Sequence, residues 1–281
     1  MSNGYYDRPY LKTPVWKPTI AVYFWVGGMA GASALLAFVA RLTGNRRLHR
    51  SALSGALAGA AVSPIPLIDD LGRPERFLNM LRVLKPTSPM SIGSWILAAF
   101  GGAVGTAAAS EFTGLPGLLG WPAEAVAAAL GPALATYTSA LIATTAVPAW
   151  QGARRLLPLV FAGGSLASAG GFAAVTTPAR QAGPARRLAL LGAGLELASA
   201  AVMERRLGEA GAPYRDAGAA RSAVRLSGIL TVAGAGLLAV AGRRRSAAVL
   251  GGSLLLGGAL SERFAIYRGG LQSAREASPS Q

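Results

Sequence analysis

From about residue 18 to residue 267, long apolar runs alternate with short polar stretches, most of them basic. Each run is close to the roughly 20 residues a helix needs to cross a bilayer. Eight such runs can be drawn, at about 18–40, 50–68, 90–111, 124–147, 156–176, 186–204, 221–241 and 247–267. The pattern predicts an all-α integral membrane protein with eight transmembrane helices, arranged as two four-helix bundles. A polar lead (1–17) precedes the membrane domain (18–267), and a polar tail (268–281) follows it. Eight crossings put both termini on one side, here called the N-side.

Local residues refine the outline. Pro9, Pro14 and Pro18 keep the lead from forming a long helix. Tyr5, Tyr6, Tyr10 and Trp16 suit the headgroup layer. The first run has no charge, and its Gly27, Gly28, Gly31, Ala32 and Ser33 allow a neighbouring helix to come close. Pro64 and Pro66 disturb the end of the second run, and Pro132 kinks the fourth.

The longest polar interruption in the first half runs from Leu67 to Trp95. Asp69 and Asp70 stand where the second run meets water, and Gly72 and Pro74 turn the chain. Residues 75–85 are amphipathic. Phe77, Leu78, Leu81 and Leu84 share a face, and Arg76, Arg82 and Lys85 flank it. This predicts a short helix lying in the membrane interface, ended by Pro86 and Pro89. It reads either as an ordinary connector or as a partner-docking surface carrying Arg73, Glu75, Arg76, Arg82 and Lys85.

Composition narrows the chemistry. The 281 residues are 52% hydrophobic and 14% charged, against about 25% charged in soluble domains. With no cysteine, disulfides, thiolate metal sites and cysteine-ligated iron–sulfur clusters are excluded from this chain. The single histidine, His49, falls in a basic loop and cannot supply the bis-histidine pair of a b-type haem. No haem, cluster or metal is therefore expected here. The net charge of +15 could point to nucleic acid. Its segregation into short loops instead fits arginines meeting anionic lipid headgroups, so membrane lipids are expected as partners and nucleic acid is not. The N-terminus lacks the short apolar core of a secretory signal.

Polar groups within the runs fall in the N-side half of the membrane. Tyr23 is one turn into the first run, Asp69 and Asp70 end the second, and Tyr137 is past the middle of the fourth. Arg154 and Arg155 open the fifth, and Glu196 is near the middle of the sixth. A carboxylate at mid-membrane is costly and marks a functional candidate, here a proton relay. The plain alternative is a buried carboxylate that only bonds neighbouring helices. Tyr137 can donate to a carbonyl or be a packing tyrosine, and the arginine pair can be a topology signal.

At these residues the chain resembles the NrfD/PsrC family, the polysulfide-reductase-type membrane subunits of molybdoenzyme complexes. The carrying segments are YFWVGGMAGASALL at 23–36 and DDLGRPERFLNMLRVLKPTSPMSIGSWIL at 69–97, together with the eight-span layout. The resemblance implies a subunit without haem or metal. It would bind a menaquinone-type quinone near its interface with a four-cluster iron–sulfur subunit, itself joined to a molybdopterin catalytic subunit. Electrons would pass between the nearest cluster and the quinone, and protons through polar membrane residues. Tyr23, Asp69 and Asp70 lie within matching motifs. Tyr137, Arg154 or Arg155, and Glu196 match by helix and approximate depth. This assigns Tyr23, Tyr137, Arg154 and Arg155 to the quinone site and Glu196, Asp69 and Asp70 to proton transfer. Family members have Asn and His quinone contacts at the start of the first span. This chain has Trp16, Lys17 and Thr19 there, so the donor to the quinone carbonyl is not carried over.

The resulting expectation is a quinone-reactive subunit of a respiratory oxidoreductase, not catalytic alone, in a bacterial cytoplasmic membrane. Alternatives are a secondary transporter with a midplane carboxylate and a passive anchor, which would leave Glu196 without a role. Orientation is read two ways. The larger Lys/Arg count favours a cytoplasmic N-side. The basic clusters of the opposite short loops, and the resemblance, put the N-side outside.

Overall fold

The computed structural model describes residues 14–71, 74–114, 118–216 and 218–277, without the side chains of Pro74 and Arg76. Tyr5, Tyr6, Tyr10, Pro9, Gly72, Arg73 and the side chain of Arg76 lie outside the described residues. The described residues are helical with no strand. The long helices are α1 (Thr19–Leu42), α2 (Arg46–Val62) continued by α3 (Pro64–Asp70), α4 (Pro89–Thr113) and α5 (Gly120–Ala143). After the short α6 (Pro148–Gly152) come α7 (Leu157–Thr176), α8 (Gly183–Arg206), the one-turn α9 (Ala212–Arg215), α10 (Ala219–Ala241) and α11 (Arg245–Glu276). Among the described residues, seven helical segments are long and apolar enough to cross a membrane, the mark of a multi-pass membrane protein. The α2–α3 pair counts as one segment, and α8 is not among the seven. Arg186, Arg187, Glu196, Glu204, Arg205 and Arg206 lower its hydropathy.

In lipid, helices associate by close packing and interhelical hydrogen bonds. Accordingly α1 packs against α2, α5 and α7, and α4 against α5 and α2. In the second half α7 packs on α8 and α11, and α10 on α11 and α8. The small residues of α1 act as expected: Gly31 meets the backbone of Gly131 on α5 so closely that neither position has room for a Cβ. Phe24 and Phe161 join α1 to α7 with ring centroids 5.8 Å apart, and Trp25 Nε1 donates to Ser168 Oγ at 3.1 Å.

Two ends of the molecule are well marked. At the Lys17 end, Trp150 Nε1 donates to the Ile266 carbonyl at 2.8 Å, and the Tyr267 hydroxyl donates to the Trp16 carbonyl at 2.6 Å. At the Arg41 end, Asn45 caps α2 by accepting from Leu48 N, and its amide donates to the Gln181 carbonyl at 2.9 Å. Arg245 there donates to the Thr177 carbonyl at 3.1 Å, and Arg186 to the Ala179 carbonyl at 2.7 Å.

Two segments differ from the sequence reading. The amphipathic stretch is a 3-10 helix over Pro74–Leu81 and stops short of Lys85. Ser91 on α4 interrupts it: its hydroxyl donates to the Val83 carbonyl at 3.2 Å and accepts from Lys85 N at 3.0 Å, so these groups leave the helical ladder. In addition, α11 continues to Glu276, through most of the stretch read as a polar tail. Gly269 lies against the Tyr214 ring and Gly270 against Trp150, which gives the extension a packed face.

Candidate functional site

The start of α1 is held by the end of α3. Lys17 N donates to Asp70 Oδ1 at 2.6 Å, Lys17 Nζ donates to Asp69 Oδ1 at 3.0 Å, and Thr19 Oγ1 donates to Asp69 Oδ2 at 3.0 Å. The two carboxylates at the membrane edge thus fasten the chain entering α1. Trp16 stacks on Trp150 with centroids 5.5 Å apart. Together these contacts fix residues 16–19 as a strap beside the opening between α1, α3, α4 and α5.

Under the strap lies a narrow cleft. Trp16, Ile20, Tyr23, Leu67, Asp70, Met80, Met90 and Tyr137 are among its lining residues. It holds about 30 Å³ of space for water-sized contents. The Tyr23 and Tyr137 rings meet edge to face, with centroids 6.4 Å apart. Tyr23 is 1% exposed, and its hydroxyl has no hydrogen-bond partner among the described residues. A buried unpaired donor is costly in an apolar setting, so this hydroxyl suits an acceptor that enters the cleft. The Tyr137 ring lies directly on Gly93 of the SIGSW segment, where a Cβ would collide with it. The segment therefore contributes the absence of a side chain under the tyrosine.

The residues proposed from sequence divide into three places. Tyr23, Tyr137 and Asp70 meet at the cleft, with Asp69 at its outer edge. Arg154 and Arg155 are exposed and line a separate pocket of about 500 Å³ with Met203 and Arg206. Glu196, 2% exposed, faces α7 instead of the cleft. Glu75, Arg82 and Lys85 are exposed on or just after the 3-10 segment, as are Leu78, Val83 and Leu84.

Around Glu196 the structure adds two groups that the sequence reading left out of the site. Glu262 and Arg263 of α11 are 6% and 1% exposed. Glu196 Oε1 and an Arg263 terminal nitrogen both lie within 3.0 Å of the point where a Cβ on Gly164 would stand. Arg263 also donates to the Phe161 carbonyl at 2.8 Å, with its guanidinium 3.9 Å from the Phe161 ring centroid. Both Glu196 oxygens, and Arg263 Nε and one terminal nitrogen, have no hydrogen-bond partner among the described residues. Toward the Lys17 end the cluster reaches Tyr214, whose hydroxyl is pushed up in pKa by burial and then by Glu262 and Glu204. Glu262 and Arg263 lie near the end of an apolar run, and only the full length of α11 shows how far inside they are.

No group of three or more His, Asp or Glu side chains able to hold a metal occurs among the described residues. The cleft is assembled largely from the lead, α1, α3 and the start of α4, whereas Tyr137 and Glu196 come from later helices and the arginine pair from the turn between α6 and α7. No curated protein matches the chain. Residues 10–107, from the second half of the lead through α1 to α3 and most of α4, match the family model described as polysulphide reductase, NrfD, so this part of the chain is similar to that family.

Proposed function

We propose that this chain is the quinone-reactive membrane subunit of a respiratory oxidoreductase in a bacterial cytoplasmic membrane. It would exchange electrons between a cysteine-rich, four-cluster iron–sulfur subunit and menaquinone, with a molybdopterin subunit performing the substrate chemistry. The observation that carries this reading is the buried, unpartnered Tyr23 hydroxyl beside Tyr137, in a cleft built largely from residues within the stretch that matches the NrfD model.

A quinone supplies reversible two-electron, two-proton chemistry when bound. The residues present fit its head in kind: apolar walls from Ile20, Leu67, Met80 and Met90, and two phenol donors for carbonyl oxygens. The free space is too small for a ring, so Met80 and Met90, flexible side chains, must move aside on entry. Tyr23 and Tyr137 donate hydrogen bonds and orient the head. Asp70, at the mouth, passes protons to the N-side, and Asp69 keeps the strap in place. Glu196, with Glu262 and Arg263, forms a second proton-handling group deeper in the membrane. Arg154 and Arg155 contribute a basic rim. Glu75, Arg82 and Lys85, with Arg73 and Arg76, present the docking surface for the iron–sulfur partner. In this reading α8 is an eighth crossing, and α1, α2, α4 and α5 form one four-helix group and α7, α8, α10 and α11 the other.

The test is affinity purification of the tagged protein in mild detergent, with identification of co-purifying chains and mass spectrometry of extracted quinone. Recovery of an iron–sulfur protein and near-stoichiometric menaquinone is expected, with severalfold less quinone retained by Tyr23→Phe. A lone, quinone-free protein from membranes in which the partners are expressed overturns the proposal.

A further inference from the structure

The sequence reading left His49 in a basic loop and Glu124 at the very start of the fourth apolar run. In the structure both are buried at the Arg41 end, 3% and 1% exposed. His49 is in the first turn of α2 because Asn45 caps that helix and starts it at Arg46. Its Nε2 lies 3.0 Å from Glu124 Oε1 and 3.1 Å from Oε2. Arg41 of α1 donates to Oε2 at 2.7 Å. One carboxylate on α5 thus holds a guanidinium from α1 and an imidazole from α2.

A purely structural tie would be sealed, and this one is not. A vestibule of about 190 Å³ opens beside it, lined by Arg41, Gly44, Arg46, His49 and Glu111. The carboxylate accepts from Nε2–H, which fixes the neutral imidazole as the Nε2-protonated tautomer and leaves Nδ1 with the free lone pair. Nδ1 makes no hydrogen bond among the described residues. The other charges facing the group are Arg46 and Arg50 on α2 and Glu111 on α4, the last two paired at 2.7 Å. The neighbouring α7 carries no charged residue.

We propose that His49, held by Glu124 and facing the vestibule, is a proton-binding site open to water at the end of the molecule opposite the tyrosine cleft. A proton arrives from the vestibule on Nδ1. The resulting imidazolium is stabilised by Glu124, which is then shared between two cations, and the proton leaves by the same face or passes inward. The site needs neither quinone nor partner subunit, so it stands or falls apart from the redox reading.

His49 is the single histidine of the chain, so histidine labelled with nitrogen-15 gives one imidazole to observe in the full-length protein in nanodiscs. The expected result is the Nε2-protonated neutral form at alkaline pH, converting reversibly to imidazolium between about pH 5 and pH 9. In Glu124→Gln the midpoint differs from that of the unaltered protein, because the anion that pairs with the ring is gone. An imidazole that keeps one protonation state over the whole interval overturns the proposal, and this arm needs no variant. A midpoint unmoved in folded Glu124→Gln removes Glu124 from the site and overturns it as stated.

Discussion

Arg263 is a fully buried cation, 1% exposed. Its guanidinium covers the Phe161 ring and donates to the Phe161 carbonyl, and it shares an electrostatic neighbourhood with Glu196 and Glu262. Breaking a buried charge set by removing one partner typically costs about 3–5 kcal/mol, because the remaining charge is left uncompensated. Arg263→Met is therefore expected to destabilise the purified protein by about that amount in detergent unfolding. Glu196→Gln removes one of the negative charges that the arginine offsets. The double variant should lose less than the sum of the two single losses, with a coupling of at least about 0.5 kcal/mol. Strict additivity would mean that the two groups do not sense each other, and the deeper proton-handling group would have to be abandoned. Glu196 was legible from sequence because a lone carboxylate in an apolar run is conspicuous. Arg263 was not, because a charge pair near a run's end reads as an ordinary helix terminus.

At the scale of elements, the lead and α11 are ordered by each other. Trp16 stacks on Trp150, Trp150 bonds the Ile266 carbonyl and lies on Gly270, and Tyr267 bonds the Trp16 carbonyl. Hydropathy could not reveal this, because the contacts join residues from 116 to 251 positions apart and depend on glycines that a sequence reading treats as helix-weakening. The same limit explains the amphipathic segment. Its apolar face was legible, but the Ser91 side chain that turns 83–85 away from the helix was not. By contrast, the small-residue face of α1 and the aspartates at the end of α3 were read correctly in place, since short local patterns determine them. The strap has a measurable role. An aromatic stack is worth about 0.5–1.5 kcal/mol beyond its buried area, and Trp16 also walls the cleft. Trp16→Ala should lower the unfolding midpoint by only a few degrees while the protein loses most of its co-purifying quinone. Trp16→Phe, which keeps a ring over Trp150, should retain it. Equal quinone content in Trp16→Ala and the unaltered protein would separate the strap from the site.

At the scale of the whole molecule the open quantity is the number of crossings, and it turns on α8. Hydropathy counts against this helix, and packing counts for it. Its 24 residues extend about 36 Å at 1.5 Å per residue, enough for a hydrocarbon layer of about 30 Å. Its first turns lie at the Arg41 end, where Arg186 donates to the Gly242 carbonyl at 3.2 Å. Its last turn lies at the other end, where Met203 and Arg206 share a pocket with Arg154 and Arg155. The mid-helix carboxylate faces Gly163 and Gly164 of α7, so the costliest group is turned into protein and away from lipid. With eight crossings, Glu209 and Gln181 emerge on opposite sides of the membrane; with seven, α8 lies along one surface and both emerge on the same side. The chain has no cysteine, so Glu209→Cys and Gln181→Cys each introduce a single thiol. Labelling intact cells and inverted vesicles with a membrane-impermeant maleimide should modify one variant in each preparation. Modification of both variants from the same side would reduce the count to seven and place the two termini on opposite sides. It would also turn Glu196 toward an interface where a carboxylate needs no special explanation.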